Sequence, residues 1–350
     1  MTKAAELAKM GEVITNSQIG RKNIIINGAM QVAQRGTSET GAGNANGFFT
    51  LDRYNISIGA TTAGRLTMSQ STVTDLAGFP NALKLDCTTA DTSIAAGEAL
   101  VLAQKIEGFN AQQLKASSTS TNAFTLSFYA KSNASRAIVS EIMLTNGTNR
   151  QISKLHTIGT SWARYTMTVP AASSTQIDDD NSNEMQLQFW LHAGSTYTSG
   201  TLNDDALDSI TNANRAAGIG SLFASTDNTL EITGIQLELG SQATPFEHRS
   251  IGEEKSLCYR YYEEGSFSMR VSGTVVRAGQ SYTVSKRASA TVNVYYDSSK
   301  PTAGTINVSN STNSGWAEGG SNNYWNMEKN TGSNGDGVDY NGHWTADAEL

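Results

Sequence analysis

Residues 230–250 read LEITGIQLELGSQATPFEHRS, and this stretch decides the fold class. Leu230, Ile232, Ile235, Leu237 and Leu239 are apolar, while Glu231, Thr233, Gln236 and Glu238 are polar. A period of two belongs to a β-strand with one buried and one wet face. The phase slips by one residue at Gly234, where a glycine permits a bulge. The strand then stops at Gly240, and Pro245 forbids its extension as a central strand because it has no N–H for a ladder. The expectation is that a sandwich closes at Ser241 and that a second unit follows.

The same alternation recurs upstream. FTLSFYAKS places Phe124, Leu126, Phe128 and Ala130 on one face, and WARYTMTVP does so for Ala163, Tyr165, Met167 and Val169. MQLQFWLHA repeats it with Met185, Leu187, Phe189, Leu191 and Ala193, and ALKLDCTT with Leu83, Leu85 and Cys87. Polar turns such as Asn146-Gly147 separate these runs. No long amphipathic helix interleaves them, so a parallel α/β sheet is not expected; residues 105–115 suit one short helix. The reading is all-β: an antiparallel jelly-roll β-sandwich over residues 23–250, then a smaller, β-rich and loop-rich domain over 251–350. Residues 1–22 are expected to form a short helical arm with Leu7, Met10 and Ile14 on one stripe. About two heptads are too few to stand alone, so the stripe is read as peripheral or as packed against symmetry mates. NIIINGAMQVAQRGTS, residues 23–38, reads as a strand interrupted at Asn27-Gly28.

Composition bounds the function. Of 350 residues, 38% are hydrophobic and 16% charged, with a formal charge of −7. An acidic balance argues against a duplex nucleic-acid partner, which calls for a basic stripe. No run of 18 apolar residues suggests membrane insertion. Two distant cysteines, Cys87 and Cys258, make no disulfide framework and suit a reducing compartment. The loop ETGAGNANG has glycines at 41, 43 and 47, the wrong spacing for a dinucleotide fingerprint. His156, His192, His248 and His343 are isolated and form no HExxH or Cys–His pattern, so neither cofactor nor metal is expected.

The blocks NIIINGAMQVAQRGTS, FFTLDRY, FTLSFYAKS, TSWARYTMTV and ITGIQLELGSQATPFEHRSIGEEKSLCYRYYE, with the terminal WTADAEL, resemble a widespread set of tailed-bacteriophage virion proteins. These are fibre or appendage subunits with a carbohydrate-binding-module-like jelly roll. The resemblance covers roughly residues 20–262 and the last seven, and is weak over 266–343. It implies a homotrimeric structural subunit, assembled in the host cytoplasm and located in the virion. Its implied partners are its own copies, other virion proteins and a host surface polysaccharide or other receptor. It does not choose among tail, baseplate and capsid, so a decoration protein without receptor role is the alternative, and a glycan-degrading enzyme a more distant one.

Several residues are candidate contacts. Residues 303–344 are mostly Gly, Asn, Ser and Thr around five large rings. Trp316 and Trp325, with Tyr324, are expected to stand out as a recognition surface, and Tyr340 and Trp344 to be structural. On the sandwich, Gln186, Gln188, Trp190 and His192 share the face opposite the Met185–Leu191 set. The readings there are subunit contact first, then a second core layer, then glycan contact. Tyr259, Tyr261 and Tyr262 in CYRYY are read as a subunit interface, or otherwise as the first strand of the next domain. The acids of IDDDNSNE, Asp178 to Glu184, could pair as glycosidase carboxylates, but nothing in the sequence puts one in an apolar pocket.

Overall fold

The computed structural model describes residues 21–60, 63–271, 275–300, 302–308, 311–314, 317–330 and 338–350. Leu7, Met10, Ile14 and Trp316 lie outside these residues. The chain divides into two compact units between Ser250 and Ile251.

The first unit opens with β1 (Ser38–Ala42), β2 (Asn55–Ile58), β3 (Arg65–Thr72), β4 (Asn81–Thr89) and β5 (Ala99–Glu107). A one-turn helix, α1 (Gly108–Ala111), and two short strands, β6 (Lys115–Ser117) and β7 (Ser120–Thr121), come next. Then follow β8 (Phe124–Ser132), β9 (Arg136–Leu144), β10 (Arg150–Ile158), β11 (Ala163–Val169) and β12 (Ala172–Ser173). The unit continues with β13 (Asn183–Ala193), helix α2 (Ser195–Thr198), β14 (Asp208–Ser209) and β15 (Thr229–Leu239). Two six-stranded sheets result, ordered β1-β3-β4-β15-β8-β11 and β14-β10-β9-β13-β5-β2. Every ladder in them is antiparallel.

The alternating apolar sets meet between the sheets. Phe124, Leu126, Phe128 and Ala130 on β8 are fully buried, as are Leu230, Ile232, Ile235 and Leu237 on β15. Met185, Leu187, Phe189 and Leu191 enter the same cluster from β13. The pairing of β15 with β8 shifts between Thr233 and Gln236. Gly234 sits in that bulge at φ +59°, where an added Cβ would lie 2.8 Å from the Phe79 ring. The bulge is therefore where the alternation slips.

The second face of β15 is not wet. Thr233, Gln236 and Glu238 are at most 1% exposed. The segment after the strand folds back over them: Thr244 N–H donates to Glu238 Oε1 at 2.9 Å, and Glu247 N–H to Gln236 Oε1 at 2.7 Å. Glu247 then accepts from the backbone N–H of Lys22 and Asn23 at 3.0 and 2.7 Å, and Arg249 donates to the Ile25 carbonyl at 3.1 Å. The proline and charges that follow the strand thus fasten residues 22–25 to it. Residues 23–36 contain no strand; the Asn27-Gly28 region is a turn. Ile24, Ile25 and Ile26 are nevertheless buried. Side chains replace the missing ladder: Gln104 accepts from Ile26 N–H at 3.0 Å and donates to Ile26 O at 2.9 Å.

The second unit begins with helix α3 (Ile251–Tyr259), then β16 (Tyr262–Val271), β17 (Val275–Ser281), β18 (Thr291–Tyr295) and β19 (Thr305–Val308). It ends with β20 (Ser311–Ser314), β21 (Ala317–Gly320), β22 (Tyr324–Asn330) and β23 (Val338–Asp347). One sheet has five strands, in which β23 pairs with β16 on one side and with β18 and β19 on the other; β20 extends it through β19. The other sheet is β17-β22-β21. Val294, Ile306, Tyr340 and Trp344 from the first sheet and Trp325 and Met327 from the second form the core of the unit. Inside this unit Lys286, fully buried, is paired with Glu263 and donates to the Tyr259 carbonyl at 2.5 Å. Burial pulls the Lys286 ammonium down in pKa and the Glu263 carboxylate opposes that pull.

Candidate functional site

The stripe on β13 is covered. Trp190 is 2% exposed, Gln188 7% and His192 fully buried, because residues 194–221 run across that face. Trp190 packs on Tyr197 with ring centroids 5.0 Å apart, and the Arg215 guanidinium lies 4.7 Å over its ring. Arg215 grips Glu141 with two hydrogen bonds of 2.9 Å and reaches Gln188 Oε1 at 3.1 Å. Trp190 Nε1–H donates to the same carboxylate at 2.6 Å. With Val101, Val139 and Ala216 these residues make a second core layer. Subunit and glycan contact through Trp190 and Gln188 are thereby corrected: a charged network fills the space a ligand would need.

The aromatic junction is also internal. Tyr261 is fully buried and Tyr262 is 5% exposed, both within the second unit. Tyr261 O accepts from Ala348 N–H at 2.7 Å, which ties the junction to the end of the chain. Tyr259 is half-buried on α3. CYRYY is thus the end of a helix and the start of β16, which supplies its own cover; it is not an exposed interface patch.

Trp325 likewise does not stand out. It is 1% exposed, 5.6 Å from the Trp344 ring and 5.5 Å from Phe267. The polar run around it buries a core because alternate residues of β22, Trp325 and Met327, point inward while Tyr324 and Glu328 are exposed. Among the described residues, Tyr324, 50% exposed, is the predicted contact that remains at the surface.

What the sequence did not show is an open cleft between β16 and β17. It measures about 510 Å³ and is lined by Ser266, Phe267, Ser268, Met269, Arg277, Ala278, Gly279, Gln280 and Trp325. Its flanks are edge strands of the two sheets, since among the described residues β16 and β17 each have one ladder neighbour. Phe267, Met269 and Ala278 are part of the apolar lining and pack on the core. Ser266, Ser268, Arg277 and Gln280 are exposed polar walls. Arg277 is held by Glu328 at 2.8 Å, and that pairing raises the guanidinium pKa. The one available signal was the alternation of Ser266, Phe267, Ser268 and Met269, which marks a strand but not its missing neighbour.

Among the acids weighed as catalysts, Glu184 is 3% exposed. Burial raises its carboxyl pKa, although Asp178 N–H donates to it at 3.2 Å. Asp178 is lowered, chiefly by the Gln176 amide. Burial of one of these acids is a correction to the sequence reading, which found no apolar setting for any of them. Asp52 and Arg53 are both buried. Asp52 accepts from Gln34 N–H at 2.9 Å, and Arg53 donates to the Lys105 carbonyl at 2.5 Å, which are structural roles. No helix among the described residues is long and apolar enough to cross a membrane.

No protein-family model and no curated protein sequence matches the chain. Among solved structures, the enzymatically active domain of tailspike protein 4 of bacteriophage CBA120 is similar at 13% identity and TM-score 0.32, over 62% of this chain and 21% of that one. The chain thus spans about a fifth of that structure. A CBM4 structure is similar at 12% identity and TM-score 0.31, over 61% of this chain and 98% of the other. The family 11 carbohydrate-binding module of a Clostridium thermocellum cellulosomal cellulase is similar at 11% identity and TM-score 0.30, over 59% and 97%. Likenesses at these TM-scores assign this chain neither a ligand nor a role.

Proposed function

We propose that the chain is a structural subunit of a tailed-phage virion, a homotrimeric fibre or appendage component that holds a host-surface saccharide in the cleft between β16 and β17. The order of sequence blocks from residue 20 to 262 supports the virion role. The cleft carries the binding role. Its size falls within the range of about 300–1,000 Å³ usual for small-ligand sites. A pyranose ring offers C–H faces to an apolar floor and hydroxyls to polar walls. Phe267 and Met269 supply the first, and Ser266, Ser268, Arg277 and Gln280 the second. The open side between two strand edges admits a chain rather than a single small molecule.

Affinity electrophoresis of the full chain in gels cast with capsular, O-antigen or β-glucan polysaccharides tests this. Retardation by one of them, lost in Gln280→Ala and Arg277→Ala, is the expected result. Equal mobility of wild type and both variants in every gel would refute the cleft. Light scattering on the same sample should give three times the chain mass; a monomer mass would refute the trimer.

A second reading, hydrolysis, is favoured by the raised Glu184 beside the lowered Asp178, an arrangement that separates an acid from a carboxylate. Release of reducing ends from the retarding polysaccharide, abolished by Glu184→Gln, would establish it over binding alone.

A further inference from the structure

In the first unit, two carboxylates of one connection converge with a histidine distant in sequence. Asp91 and Glu98 sit in the connection between β4 and β5, and His192 lies near the end of β13. All three are buried: 6%, 5% and 0% exposed. One ligand atom from each lies within 4.8 Å of the other two. His192 Nε2 and Glu98 Oε2 are 3.3 Å apart. Two ligands at a tetrahedral zinc ion, each about 2.0–2.1 Å from the metal, are separated by about 3.3 Å.

We propose that Asp91, Glu98 and His192 bind a divalent transition-metal cation, zinc foremost, as a structural clamp. The donor set selects the metal class: an imidazole nitrogen suits zinc and its neighbours, whereas calcium and magnesium take oxygen ligands. The ligands are already aimed by their surroundings. Asp91 accepts from Ala63 N–H at 2.9 Å and from Ser93 N–H at 3.1 Å, one bond to each oxygen. The other ring nitrogen of His192, Nδ1, shares a 2.7 Å hydrogen bond with Ser221 Oγ. A hydroxyl at that position fixes the ring and aims Nε2 at Glu98 Oε2, its hydrogen-bond partner at 3.3 Å, so that a cation would take the place of the shared proton; outer-shell partners orient ligating histidines in this way.

The clamp would reinforce a junction that the β13–β5 ladder and backbone hydrogen bonds already bring together. Asp91 N–H donates to Phe223 O at 2.8 Å, and Gly194 N–H to Glu98 O at 2.8 Å. A cation there ties the β4–β5 connection to β13 and to the turn at Leu222–Ala224. It thereby pins both ends of the run of residues 194–221 that covers Trp190.

The full chain should be refolded with excess Zn²⁺, desalted and analysed for metal. The expected result is one zinc per chain, with a melting temperature about 5 °C or more above the chelator-treated protein. Co²⁺ in place of Zn²⁺ should give visible d–d bands of a low-symmetry site, displaced by Zn²⁺. His192→Gln and the double variant Asp91→Asn with Glu98→Gln should lose the metal. If those variants fail to fold, the wild-type Co²⁺ spectrum and stoichiometry decide. Zinc at or below background with no change in melting temperature overturns the proposal. So does full retention by His192→Gln, or an equal shift with Ca²⁺ or Mg²⁺.

Discussion

Acid should weaken the sandwich through His156. His156 on β10 is 5% exposed, 2.8 Å from Ser140 Oγ through Nε2, and edge-on to the Phe128 ring at 5.2 Å. Burial first, and the charge of Lys154 second, lower its pKa from 6.5 to about 4. The unfolded chain therefore takes up a proton near pH 6.5 that the folded state refuses until about pH 4. The contribution of a neutral buried imidazole is intact above pH 6.5 and is lost as pH falls through that window. At pH 4.5 the loss amounts to about 2.5 kcal/mol relative to pH 7.5. Replacing His156 by Gln removes the titration and adds a penalty that does not vary with pH. Urea unfolding of wild type and His156→Gln from pH 7.5 to 4.5 reads the effect as the change in the difference between them, which cancels the carboxylates common to both. The variant should gain on wild type by about 2.5 kcal/mol over that range, and the His156 ring proton should titrate near pH 4 in the folded protein. A constant difference, or a folded-state pKa near 6.5, would refute the reasoning.

Three further outcomes follow from the packing. Trp325→Ala removes a ring that is 1% exposed and should cost the second unit about 3–5 kcal/mol, whereas Tyr324→Ala, at a half-exposed position, should stay within about 0.5 kcal/mol in thermal unfolding. Arg215→Ala leaves the fully buried Glu141 without its cation and should cost about 3 kcal/mol in urea unfolding; Arg215→Lys, which cannot make the two-pronged contact, should recover only part of it. Gly234→Val combines a left-handed backbone with a Cβ 2.8 Å from the Phe79 ring and should lower the midpoint by more than Gly252→Val on α3, where an added Cβ meets nothing within 4 Å.

The strands were legible where one face packs on the central core. On β8, β13 and β15 the apolar residues recur every second position, and even the bulge at Gly234 shows as a slip in phase. Covering of the other face was not legible. Thr233, Gln236 and Glu238 are polar, yet buried, because Thr244 and Glu247 fold back onto them; alternation reports only which side is apolar. For the same reason Trp190 reads first as a subunit-contact ring and only second as a covered core ring, since its cover begins after Ala193 and reaches it through Arg215, 25 positions away. The ladder-free stretch Asn23–Met30 read as a strand because its apolar run is shared by strands and by irregular segments whose polar backbone is satisfied by side chains such as Gln104. Trp325 looked exposed in a field of Gly, Asn and Ser, but a strand needs only alternate apolar residues to bury one side. The cleft and the Asp91–Glu98–His192 cluster were hidden by distance along the chain: the histidine is 94 positions from its nearer carboxylate, beyond any spacing motif.

Competition for the host surface tests the central claim most directly. If the chain is such an appendage, the purified chain, added to host cells before the corresponding phage, should slow phage adsorption in proportion to the sites occupied. The variant with Arg277→Ala and Gln280→Ala, folded and of the same oligomeric mass, should not. Unchanged adsorption with the wild-type chain at saturating concentration, or equal inhibition by the variant, would contradict a host-binding appendage that acts through the β16–β17 cleft.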